Sequence, residues 1–166
     1  MPSRRTVLTL LGTAGIGAIA GCSSLGQQAG YVQLKSIEVR YSEDNERHAK
    51  ILLRVSLSEP AGEEKPQVDW LDEEWSDHFE TLHEPVVSES LDEAIQREYD
   101  EVRYIIGVCS PSGSDEGCRN AETSRDDFNR VQVHDRVTAS YGDSHISVQD
   151  VDGKWEFEKR SCVALC

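Results

Sequence analysis

Methionine occurs once, as Met1, and lysine only five times in 166 residues. Without a second methionine there is no axial thioether for a blue-copper centre. No histidine follows Cys109 closely enough to supply the short loop such a centre uses. The chain has no Asn-x-Ser/Thr, so N-glycosylation is not expected. It has no glycine-rich phosphate loop and no Gly-x-Ser-x-Gly nucleophile elbow. Isolated Ser, His and Asp residues occur, but no spacing ties them into a catalytic set. Carboxylate pairs such as Asp126-Asp127 are too common in so acidic a chain to mark acid–base work.

Metal ligands are equally sparse. The histidines are His48, His78, His83, His134 and His145. His78 and His83 are five residues apart, which separates them on a helix and puts them on opposite faces of a strand. Asp150-Val151-Asp152-Gly153 brushes against a calcium loop, but its third oxygen ligand and closing glutamate are misplaced. No cofactor and no metal site are expected, and catalytic residues cannot be named.

What the chain has in abundance is negative charge: 31 Asp and Glu against 17 Lys and Arg, a formal net of −14. Arg4 and Arg5 lie in the first 21 residues, so the remainder carries 15 basic and 31 acidic groups, a net of −16. An excess of this size argues against nucleic acid as a partner. It argues also against adhesion to anionic lipid through charge. The acids are spread along the whole chain and lysine is scarce, which reads as a solvation strategy suited to strong brine.

Residues 1–21 read as a processing segment. Ser3-Arg4-Arg5-Thr6-Val7-Leu8 has the twin-arginine export pattern, with Arg4 and Arg5 as its core. The apolar stretch from Val7 to Ala20 is diluted by glycines and falls short of the roughly 20 residues a spanning helix needs. Ile19-Ala20-Gly21-Cys22 resembles a lipobox, with Cys22 as the residue that would carry lipid after cleavage. Residues 22–30 then form a short polar tether. These signals place the body at the extracytoplasmic face of the cell membrane, held through Cys22, with a protein of the cell envelope as a candidate partner.

From Tyr31 to the end, residues 31–166, the dominant period is two, the mark of strands half buried in a sheet. Val32-Gln33-Leu34 starts one alternation and Ile37 to Tyr41 continues it out of phase, which predicts a bulge near Lys35-Ser36. Ser42 to Glu46 predicts a turn, and Ile51, Leu53, Val55 and Leu57 a second strand. Between Pro60 and Pro85 the chain is acidic, with Trp70, Trp75 and Phe79 as anchors. Ser90-Leu91-Asp92-Glu93 fits a capping box, and Leu91, Ile95 and Tyr99 recur at helical spacing. Val102 to Val108 predicts a further strand ending at Cys109, followed by a polar loop. Alternating segments recur at Val131-Gln132-Val133, Val137 to Tyr141, and Ile146 with Val148. Asp152-Gly153 predicts a hairpin tip that would set Val148 opposite Phe157 and Asp150 opposite Trp155. Short strands with turn signals and one short helix favour a mainly β fold, an antiparallel β-sandwich.

With Cys22 given to lipid, Cys109, Cys118, Cys162 and Cys166 remain, an even number suited to two disulfides in an exported chain. If the tail is extended, Cys162 and Cys166 stand about 13 Å apart at about 3.3 Å per residue, too far to join each other. They would then clamp the tail to Cys109 and Cys118. A turned tail allows Cys162 with Cys166 and Cys109 with Cys118 instead. The spacings do not match short-looped zinc pairs.

The leader, the acidic lysine-poor composition and the opening Val32-Gln33-Leu34-Lys35-Ser36-Ile37-Glu38-Val39 together resemble small secreted lipoproteins of halophilic archaea. That resemblance implies an immunoglobulin-like sandwich with a single cysteine pair, from which this chain departs by two further cysteines, and carries no known activity. The leading expectation is a non-enzymatic, surface-anchored binding or envelope-structural module. A small-solute or metal-binding lipoprotein serving a transporter is the second, with Trp70, Trp75 or Trp155 lining its pocket. An enzyme with an unfamiliar site is the third.

Overall fold

The computed structural model describes residues 26–58, 65–110 and 117–157. Its chain order is β1 (Gln27–Glu43), β2 (Glu46–Ser56), β3 (Gln67–Leu71), a 3-10 turn (Ser76–His78), α1 (Glu89–Glu98), β4 (Glu101–Cys109), β5 (Cys118–Thr123), α2 (Arg125–Arg130), β6 (Asp135–Tyr141) and β7 (Ile146–Lys154). All strand pairs are antiparallel.

β1 organises the sheet. Ile37 pairs with Leu53 of β2 and Tyr104 of β4, so β2 and β4 flank it on opposite edges. Tyr31 pairs with Cys109 of β4 and Arg136 of β6, so β6 shares the edge that β2 occupies farther along. The strand order is β3-β2-β1-β4-β5, with β6 joined to β1 and β7 to β6. An isolated parallel bridge between Glu122 and His145 brings β5 against the start of β7, so the strands curl back on themselves.

The long strand curls because its register slips twice, between Val32 and Leu34 against β4 and between Ile37 and Glu38 against β2. These irregularities flank the bulge predicted at Lys35-Ser36, and each extra residue sharpens the local twist. β1 also begins four residues before the boundary read from sequence, since 27–30 pair with β6 rather than belonging to the tether. The turn into β2 is built as expected: Asp44 and Asn45 both have positive φ, 51° and 69°, as a two-residue hairpin requires.

Core side chains come from the faces of β1, β2, β4, β6 and β7, covered by the helices. Val32, Ile37 and Val39 meet Leu91 and Ile95 of α1, Phe128 of α2, and Val137, Ala139, Ile146 and Val148 in one cluster. Trp75 and Phe79 are buried as predicted, whereas Trp70 stands on β3 with 55% of its surface exposed.

Four further local expectations are corrected. The helix is capped by Ser88, whose Oγ accepts the Leu91 N–H at 3.1 Å, and not by Ser90. Asp152-Gly153 is no hairpin tip: β7 runs through it to Lys154, with Gly153 at φ 74° beside a register slip against β6. A left-handed glycine opposite an antiparallel strand makes a bulge as readily as a turn. The reversal lies instead at 142–145, where the Gly142 N–H donates to the His145 carbonyl at 2.8 Å. Val131-Gln132-Val133 is a connection rather than a strand. β5 and α2 fill most of the stretch read as a polar loop; the Ser124 hydroxyl caps α2 by accepting the Asp127 N–H.

Candidate functional site

The chemistry of the interior collects around one residue. Lys35 lies on β1 in phase with Ile37 and Val39, opposite Ile106 on β4, and is fully buried. A lysine on an apolar face costs a great deal unless its ammonium is satisfied. Here Nζ donates to the Pro85 carbonyl at 2.7 Å, the Val131 carbonyl at 2.7 Å and Gln132 Oε1 at 2.9 Å. It also sits 4.1 Å from the centroid of the Phe128 ring. An ammonium has three N–H bonds, and all three are used.

The partners are held in turn. Asp135, itself buried, accepts the Gln132 backbone N–H through Oδ2 at 2.6 Å and faces Lys154 Nζ through Oδ1 at 2.7 Å. The segment carrying Pro85 is pinned by Asn129, whose side-chain amide donates to the Val87 carbonyl and accepts the Val87 N–H. Burial lowers the Lys35 ammonium from its ordinary range to about 7, against the opposing pull of Asp135 and Glu84. An amine with so low a proton affinity is reactive where substrate reaches it. This one is sealed from solvent and spends its donors on the protein. The arrangement ties β1 to two connections that would otherwise hang off the sheet.

A second polar group joins the helices to the sheet. The Tyr104 hydroxyl donates to Asp92, which also pairs with Arg125 at 3.6 Å. Tyr104 packs against Phe128 with ring centroids 5.3 Å apart. Burial, then the Asp92 carboxylate, raises the Tyr104 hydroxyl well above the usual phenol range.

At the end of the molecule where β1 begins, a cleft of about 370 Å³ is lined by Gly26, Gln28, Val108, Ser110, Arg119 and Tyr141, among others. The Arg119 guanidinium lies 5.6 Å from the Tyr141 ring centroid and donates to the carbonyls of Gly142 and Asp143.

Of the residues singled out from sequence, Cys109 and Cys118 are joined by a disulfide across directly paired positions of β4 and β5. This corrects the clamp: neither cysteine is available to the tail. Cys162 and Cys166 lie outside the described residues, as do Arg4, Arg5 and Cys22. The three tryptophans named for a solute pocket do not converge. Trp75 is in the core with its Nε1 donating to Tyr99, Trp155 stacks on Tyr31, and Trp70 is on the outer strand β3. The histidines are dispersed: His48 stacks on Tyr41, His78 lies against Trp75, and His83 Nδ1 contacts the Pro66 carbonyl at 2.6 Å. Among the described residues no group of three His, Cys, Asp or Glu is placed to hold a metal ion, and no helix is long and apolar enough to cross a membrane.

No protein-family model, curated protein or solved structure matches this chain.

Sequence reasoning passed over Lys35, Gln132 and Asp135. The signal for Lys35 was there: stepping back by two from Val39 and Ile37 lands on it, so the alternation itself places a lysine on the buried face.

Proposed function

We propose that this chain is an extracytoplasmic lipoprotein of the kind made by halophilic archaea, exported by the twin-arginine route through Arg4 and Arg5. Lipid on Cys22 holds it at the outer face of the cell membrane. Its body is an immunoglobulin-like sandwich, with a non-enzymatic binding or structural role in the cell envelope.

The observation that carries this reading is the Cys109–Cys118 disulfide, since such bonds persist in oxidising compartments outside the cytoplasm. It accords with a leader that ends in a lipobox cysteine. The curl of β1, which exchanges β6 for β2 along one edge, supports a two-layered body. The sealed Lys35 supports a structural role for an interior amine whose proton affinity is strongly lowered.

Cell fractionation with intact-mass measurement tests the proposal. The native protein pellets with membranes, has lost residues 1–21 and carries added lipid mass. The Cys22→Ser variant is released to the soluble fraction. A native protein that retains its leader, or a variant that still pellets, overturns the anchor.

A further inference from the structure

Strand β1 starts almost at the attachment point, and this fixes which end of the body meets the membrane. The inference rests on lipid attachment at Cys22, as proposed above. Only residues 23–26 separate Cys22 from Gln27, the first residue of β1. Five peptide steps reach about 17 Å at full stretch. The headgroup layer itself takes up about 6 Å of that span. β1 then runs for 17 residues to Glu43, which puts its far end up to about 50 Å away along the strand at about 3.3 Å per residue.

The register shows what shares the near end. Gln27 pairs with Ser140, and Tyr141 pairs with Ile146 across the 142–145 turn. Arg119 at the start of β5 fastens that turn through the Gly142 and Asp143 carbonyls and lies over Tyr141. We infer that this end, formed by Gln27, Arg119, Tyr141 and the 142–145 turn, rests on the lipid headgroups, while the Asp44-Asn45 turn points away from the membrane.

Charge agrees with that orientation. Among the described residues the near end carries Arg119 against Asp143 and Glu122, the latter bridged to His145; Asp115 and Glu116, between β4 and β5, lie outside the described residues. The far end gathers Glu43, Asp44, Glu46, Asp100 and Glu101 against Arg40 and Arg47. A body this acidic is repelled by anionic headgroups, and the repulsion is least with the carboxylate-rich end outward. Tyr141 and Arg119 are also residue types that settle at a water–lipid boundary, with an apolar body and a polar tip.

Amide hydrogen exchange on the full lipidated protein in phosphatidylglycerol vesicles, compared with soluble Cys22→Ser, tests the orientation. Exchange at 141–146 is slowed severalfold on the vesicles, and exchange at 43–46 is unchanged. Equal protection of both ends, or protection at 43–46 alone, overturns the orientation while leaving the anchor intact, provided the protein floats with the vesicles. Failure to float overturns the anchor and the orientation with it. A flexible Gly/Ser insertion between Leu25 and Gly26 supplies the second arm. It abolishes the protection without releasing the protein; protection that survives the longer tether overturns the argument from reach.

Discussion

Lys35 of β1 and Phe128 of α2 meet in the middle of the core, the ammonium 4.1 Å from the ring centroid. The pairing explains how a short helix from a polar stretch comes to sit on a sheet. Phe128 supplies an apolar surface that tolerates a cation, and Val131 and Gln132, just after the same helix, supply acceptors. Lys35, Phe128 and Gln132 therefore belong to one unit, and changes within it will not be additive.

The first prediction concerns pH. Lys35 is lowered to about 7 in the folded protein by burial, from 10.5 when unfolded. Between those values the unfolded chain binds the proton and the folded one releases it. Stability referred to this residue therefore rises as pH climbs from about 7 toward 10.5, and is least below 7. The stability of the native protein relative to Lys35→Met should rise over that range, by up to a few kcal/mol. Urea denaturation of both proteins at a series of pH values measures it, and a difference that does not change with pH would show that burial does not govern this amine.

Tyr104 acts in the opposite sense. Its hydroxyl is raised in the folded state, so the unfolded chain loses that proton first as pH increases past 10. The native protein should lose stability relative to Tyr104→Phe above pH 10, and the two should run parallel below pH 9. The same denaturation series, extended to alkaline pH, reads this out.

Capping supplies a sharper local test. Ser88 Oγ accepts the Leu91 N–H, whereas Ser90 Oγ contacts the Ser88 hydroxyl. Ser88→Ala should cost about 1 kcal/mol of stability, and Ser90→Ala a few tenths. Thermal unfolding of the two variants would reverse in order if Ser90 were the cap.

How far the fold could be read from the residues depends on where their information lay. β2 and β4 were legible because apolar residues recur at every second position, as at Ile51 to Leu57 and Val102 to Val108, although Tyr104 to Cys109 of β4 are buried on both faces. α1 was legible through Leu91 and Ile95, though its start was placed two residues late because Ser88 and Ser90 offer equal chemistry. β5 was not legible: Cys118 to Thr123 presents no apolar alternation, and its pairing to β4 is backbone bonding that most side chains permit. The Asp152-Gly153 error arose because a left-handed glycine serves a bulge and a turn alike. Of the interior site, Lys35 was marked by phase, but its partners are two main-chain carbonyls and one amide from distant connections, which no local pattern announces.

The disulfide yields a prediction that separates the two pairings. Cys109 and Cys118 face each other across β4 and β5, closing a loop between positions nine apart in sequence. Opening so short a loop should cost about 2–3 kcal/mol by chain entropy. The Cys109→Ser/Cys118→Ser double variant should shift the urea midpoint accordingly. Peptide mapping of the unreduced protein should recover Cys109 linked to Cys118, and a fragment joining either of them to Cys162 or Cys166 would contradict this.

Gly30 is the point where β1 passes between β6 and the end of β4, and it tests whether that crossing is as close as described. A Cβ there would lie 2.6 Å from the Cys109 carbonyl oxygen and 2.7 Å from Val108 Cγ1. The first neighbour is backbone in a paired strand and cannot rotate away, so β1 or β4 must shift. Such overpacking costs about 1–3 kcal/mol. Gly30→Ala should destabilise by that amount, while Gly142→Ala, whose nearest neighbour would be 3.6 Å away, should be close to neutral. Paired thermal melts decide it. Equal midpoints for the two variants would mean that β1 and β4 do not approach each other this closely at Gly30.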